Sequence, residues 1–187
     1  MYSHRHCRGW LAVLAGLMLV LAAGCGERKP GAGPQRGDPL PELRLSGLLD
    51  GRTSSTAGLH GKVLLINFWA TWCEPCRNEM ASLEALSRRY GAHQLAVLGI
   101  SIDADVNLAR EFVLQYRLTF PNFTEREPER ARDLLRVRTL PESVIVSADG
   151  IVVARVTGAR DWISPEAVAM LDAVIRGAPV AAPPALY

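Results

Sequence analysis

The stretch from Val63 to Tyr90 constrains this chain more than any other. Val63-Leu64-Leu65-Ile66-Asn67-Phe68-Trp69 is a nearly continuous apolar run, the pattern of a strand buried on both faces of a parallel sheet. A helical pattern follows at 75–90. Cys76, Met80, Leu83, Leu86 and Tyr90 recur every three or four residues, and Gly91 supplies the stop. Residues 95–100 form a second apolar run. Strand, helix and strand so close together make a parallel βαβ unit with a right-handed crossover.

The remaining pattern extends that unit. Residues 105–116 read as a helix and 128–136 as a short one. Two apolar strands, 143–147 and 151–156, flank Ala148-Asp149-Gly150, and Asp-Gly between such runs marks a hairpin. Ser164 and Pro165 supply an N-cap and a first-turn proline for a closing helix that runs to about Arg176. A small hairpin at 43–54 joins the sheet at its edge. The predicted class is α/β: a central mixed β-sheet flanked by helices, with an N-terminal β-hairpin and no internal repeat.

The chain has 187 residues, 49% of them apolar and 21% charged, enough for one domain with a core. Lys and Arg number 21 against 19 Asp and Glu, a near balance without the basic footprint of a nucleic-acid binder. Arg5 and Arg8 precede a wholly apolar stretch of about fifteen residues, 10–24, short of the ~20 that a spanning helix needs. This is the pattern of a secretory signal peptide, 1–24. Leu21-Ala22-Ala23-Gly24-Cys25 resembles the lipobox of bacterial lipoproteins, which makes Cys25 the expected lipidated residue and holds the chain at a membrane surface. A Gly- and Pro-rich tether at 25–41, a domain at 42–177 and a loose tail at 178–187 complete the expected organisation. Export places the domain in an oxidising compartment, where cysteine pairs can cycle.

Trp72-Cys73-Glu74-Pro75-Cys76 lies where the first buried strand meets its helix. Unpaired N–H groups and the positive end of the helix dipole stabilise an anion there, which favours a Cys73 thiolate; the charge of Glu74 beside it opposes that effect. Cys76, one turn in, belongs to the apolar stripe. Cys73 is therefore the attacking sulfur and Cys76 the resolving one, while Pro75 stiffens the turn and gives up no needed N–H. Zinc wants four ligands, and beyond this pair the mature domain offers only His60 and His93. A static disulfide would close too small a loop to stabilise much. A copper site of thiols plus histidine is the third alternative.

The run from Asn67 to Glu79, with Trp72-Cys73-Glu74-Pro75-Cys76 at its centre, resembles the active-site stretch of the TlpA/ResA-like extracytoplasmic thioredoxin-fold proteins, including the CcmG/DsbE type. The resemblance implies a thioredoxin-like fold and a membrane-tethered thiol–disulfide oxidoreductase that reduces protein disulfides outside the cytoplasm, with apocytochrome c as a substrate in cytochrome c maturation. It needs no cofactor beyond the Cys73–Cys76 pair and draws on a membrane electron donor. Glu79 matches a helix glutamate that tunes the cysteines and relays protons. It lies about 60° round the helix from Cys76, and partial burial would raise its pKa; an ordinary solvated glutamate is the alternative. Leu140-Pro141 matches the family's cis-proline, which faces the cysteines and opens backbone groups to an extended substrate. Trp72 is expected to be exposed for docking, and Trp69 to be core. Asn67 stands where general thioredoxins carry a buried acid. Two rival functions remain: a thiol peroxidase on a related fold, whose Thr-x-x-Cys setting Thr71-Trp72-Cys73 does not reproduce, and a copper-delivery module.

Overall fold

Strand β3 (Val63–Trp69) lies inside a seven-stranded sheet of order β2-β1-β5-β4-β3-β6-β7, between β4 and β6. A computed structural model describes residues 33–125 and 130–178, all within the unit Gly31–Tyr187. The other strands are β1 (Arg44–Gly47), β2 (Thr53–Ser55), β4 (Leu95–Ser101), β5 (Asn122–Glu125), β6 (Glu142–Val146) and β7 (Val152–Thr157). The helices are α1 (Glu74–Gln94), α2 (Val106–Gln115), α3 (Ala131–Leu134) and α4 (Pro165–Ile175), with a 3-10 turn at Thr56–Leu59. Strands β3, β4 and β5 run parallel; β1, β2, β6 and β7 pair antiparallel with their neighbours. This mixed α/β arrangement is the thioredoxin-like fold.

Because side chains alternate along a strand, β3 feeds two cores. Leu65 and Trp69 pack with Met80, Phe112, Trp162 and Leu171, under α1, α2 and α4. Leu64, Ile66 and Phe68 face the opposite layer with Leu98, Ile100 and Leu135. Among the described residues, this second layer is covered by the single-turn α3, by Leu40 and Leu43, by Leu59 of the 3-10 turn and by Val137 and Leu140 ahead of Pro141. Asn67 shares the parity of Leu65 and Trp69, so the one polar residue of the run points toward α1.

Helix α1 stops being helical at Gly91 (φ 63°, ψ 158°), a conformation that glycine adopts without a Cβ penalty. The 43–54 hairpin forms as β1 and β2, with β2 at the sheet edge. Strand β5 is not visible in the sequence pattern, because its four residues carry no apolar run and pair with β4 over only three positions. It packs closely nonetheless: a Cβ on Gly99 would come within 2.1 Å of Asn122 Oδ1.

Residues 33–41, read above as tether, lie along β7. Gly37 N–H donates to the Val152 carbonyl (2.8 Å), Val152 N–H to Asp38 (2.9 Å) and Leu40 N–H to Gly150 (2.9 Å). Unpaired groups on the outer edge of β7 attract this segment despite its glycines and prolines. The expected signal peptide, Cys25, the first part of the tether, the start of the 128–136 helix and most of the tail lie outside the described residues. No helix among the described residues is long and apolar enough to cross a membrane.

Candidate active site

Cys73 is the N-cap of α1, and its Sγ accepts a hydrogen bond from the Cys76 N–H at 3.3 Å. Glu74 and Pro75 occupy the first two helical positions, as a helix start with proline favours. Cys73 and Cys76 are joined in a disulfide. The two sulfurs are not equivalent in their surroundings. Cys73 is 6% exposed and borders an open groove of about 470 Å³, whereas Cys76 is 0% exposed and does not line it. Two segments line the groove and form its walls, Trp72, Glu74 and Pro75 at the start of α1 and Arg132, Val137, Arg138, Thr139 and Leu140 ahead of Pro141, together with Ile102. Trp72 is 68% exposed and Trp69 is buried in the core. The Leu140–Pro141 peptide is cis, and Leu140 is its groove-lining residue.

Glu79 is 3% exposed, and the solvated-glutamate reading is wrong. Its position on the helix turns it inward with Cys76 and Met80 rather than to the edge of the stripe. Three donors meet its carboxylate: Asn67 Nδ2 on Oε1 (2.7 Å), and Arg160 N–H (3.0 Å) and Trp162 Nε1 (3.1 Å) on Oε2. Burial pushes the Glu79 carboxyl above its ordinary pKa, and these hydrogen bonds only partly offset that cost. Asn67 Nδ2 also donates to Ser143 Oγ (3.0 Å), two residues beyond Pro141, while Asn67 Oδ1 is buried without a partner among the described residues.

Sequence reasoning missed four contributors. Asp103, just beyond β4, accepts from the Thr71 N–H (3.0 Å), Thr71 Oγ1 (2.7 Å) and Ser101 Oγ (2.8 Å), and so pins the loop that delivers Cys73. Its signal was a polar residue at the carboxyl end of a buried parallel strand, where α/β sites gather. Trp162 and the backbone of Arg160 reach Glu79 from the connection between β7 and α4, and no local pattern announces them. Arg138 lies in the groove wall three residues before Pro141, between the expected 128–136 helix and the proline, where no pattern marks it. Among the described residues, no three His, Cys, Asp or Glu side chains come together in a way that could hold a metal ion.

The model of the AhpC/TSA family matches residues 36–155, which include the cysteine pair and Pro141. The chain belongs to the AhpC/TSA family. Its further similarities are to proteins named thioredoxin-like and thiol–disulfide oxidoreductase. It is 35% identical over 150 residues to the thioredoxin-like protein YneN of Bacillus subtilis, covering 76% of this chain and 86% of that one. It is 30% identical over 126 residues to the thiol-disulfide oxidoreductase ResA of Oceanobacillus iheyensis, covering 66% of this chain and 65% of that protein, just under two thirds of its length. A secreted Mycobacterium tuberculosis disulfide oxidoreductase superposes with a TM-score of 0.59 at 29% identity, covering 68% of this chain and 95% of that one. A thioredoxin-family thiol:disulfide interchange protein from Chlorobium tepidum superposes with a TM-score of 0.61 at 22% identity, covering 78% and 99%, and supports the fold alone.

Proposed function

We propose that this AhpC/TSA protein is a membrane-tethered reductase of protein disulfides outside the cytoplasm, with apocytochrome c among its substrates. One observation carries the reading: the groove opens on Cys73 and leaves Cys76 sealed. That asymmetry suits a division of labour in which one sulfur meets the partner and the other ends the encounter.

In the reduced protein, the Cys73 thiolate attacks one sulfur of the substrate disulfide. The substrate S–S bond breaks, a Cys73–substrate bond forms, and the other substrate sulfur leaves as a thiolate and takes up a proton. Cys76 then gives up its proton and attacks Cys73 Sγ. The mixed disulfide breaks, the Cys73–Cys76 bond forms, and the second substrate sulfur leaves as a thiol. Two electrons pass from the pair to the substrate, with one proton from Cys76, relayed by Glu79, and one from solvent. Glu79, one turn along the same buried helix face, is the acceptor for the Cys76 proton; its raised pKa suits a group that must take a proton and return it. Trp72 and Leu140 offer apolar contact to the partner, and Pro75 keeps the helix start firm. A dithiol donor in the membrane renews the reduced form. The family resemblance supports that donor, the cytochrome role and a lipid anchor at Cys25.

Trapping tests the proposal. Cys76→Ser should accumulate covalent mixed disulfides with envelope proteins, which reductant releases, and Cys73→Ser should form none and lose reductase activity on a model disulfide. Full activity in Cys73→Ser would defeat the reading. Detergent-dependent solubility that disappears in Cys25→Ser tests the anchor.

A further inference from the structure

The groove carries two charges that the reaction does not need, one on each wall. Arg138 is exposed and makes no ion pair or hydrogen bond with any described residue. Glu74, in the other lining segment beside Cys73, is exposed as well. The other groove arginine is already engaged, since Arg132 Nε lies 3.3 Å from Glu125 Oε2 and 3.9 Å from Asp133 Oδ1. The wall that leads to Pro141 therefore keeps one uncommitted positive charge, with apolar Trp72 and Leu140 close by. An exposed guanidinium left without a carboxylate at the mouth of a protein-binding groove is a vacant partner for one.

We infer that this groove selects disulfides whose half-cystine has an acidic neighbour, which Arg138 binds while Glu74, in the segment beside Cys73, repels it. The two charges also set the direction in which a substrate segment lies. An acid on the Arg138 side of the attacked sulfur is attracted, and the same acid on the Glu74 side is repelled, so only one of the two flanking positions favours reaction. A lysine at the favoured position meets like charge. Because the pairing is solvent-exposed, it acts mainly on encounter and substrate affinity and weakens with salt.

The inference rests on the reductase reading, and the experiment separates the two. The full-length reduced protein is given short peptides closed by one disulfide, with Glu, Gln or Lys immediately before or immediately after one half-cystine, and kcat/KM is measured at low ionic strength. At one of the two positions the Glu peptide should react about fivefold faster than the Lys peptide, with Gln between them. Arg138→Glu should invert that order, Arg138→Gln should flatten it, and roughly 0.5 M salt should compress it toward unity. All peptides reacting within twofold of one another, or an order that Arg138→Glu leaves unchanged, overturns the inference and leaves the reductase intact. No reduction of any peptide overturns both.

Discussion

Asn67 Nδ2 donates a 2.7 Å hydrogen bond to Glu79 Oε1, linking the central strand to the helix that carries the cysteines. An amide here does what a second carboxylate could not. It supplies a donor to Glu79 and to Ser143 at once, and it leaves Glu79 as the one acid in the layer between β3 and α1.

Replacing Glu79 with Gln should preserve the fold and change the pH response. The amide can turn its NH2 toward Asn67, whose Oδ1 lacks a partner among the described residues and can face it after a flip of the Asn67 side chain. The folded-state pKa of Glu79 is raised, so between the unfolded value, about 4.3, and the higher folded one the native state binds more protons than the unfolded state. Stability from this group is complete below that window and falls as pH rises through it. Relative to Glu79→Gln, the wild type should therefore lose stability across that window and then run parallel. Urea midpoints measured against pH check this, and disulfide reduction should slow at neutral pH.

Asn67→Asp should cost roughly 3 kcal/mol near neutral pH, because it sets two buried carboxylates within hydrogen-bonding reach. The loss should shrink in acid, where the pair shares a proton. Denaturant unfolding at two pH values measures both effects.

Trp162→Phe keeps the ring in the core and removes one donor from Glu79 Oε2. A loss of about 1–2 kcal/mol is expected. The Glu79 pKa should rise further, moving the acid limb of any Glu79-dependent activity profile to higher pH. A thermal melt and a pH–rate profile on the same preparation separate the two consequences.

Asp103→Ala strips the acceptor from Thr71 and Ser101, at a cost of roughly 2–3 kcal/mol. Loosening the loop before Cys73 should also lower kcat/KM for disulfide reduction. Asp103→Asn, which keeps one carbonyl acceptor, should recover part of both losses.

The cysteine motif, β3, α1, β4, the 148–150 turn and the closing helix are legible in the chain because each is specified by neighbours in sequence: an apolar run, a stripe, a cap, an Asp-Gly pair. What was not legible depends on distant partners. Strand β5 exists because Gly99 leaves room beside it. Glu79 reads as an edge residue until Trp162 and the Arg160 backbone close over it from the far end of the chain. Asp103 looks like any polar residue after a strand until Thr71 folds back onto it, and residues 33–41 look like linker because the β7 edge that captures them is more than a hundred positions away.

Arg155 ties that captured segment to the proline loop. Its guanidinium grips Glu142, directly after Pro141, and donates to the carbonyls of Pro34 (3.1 Å) and Leu135 (2.8 Å). A shortened version beginning at 42 would thus withdraw a brace from beneath the proline loop. It would also bare the rim of β7 to strangers, inviting sticky edge-to-edge dimers from a protein whose catalytic sequence had not been touched.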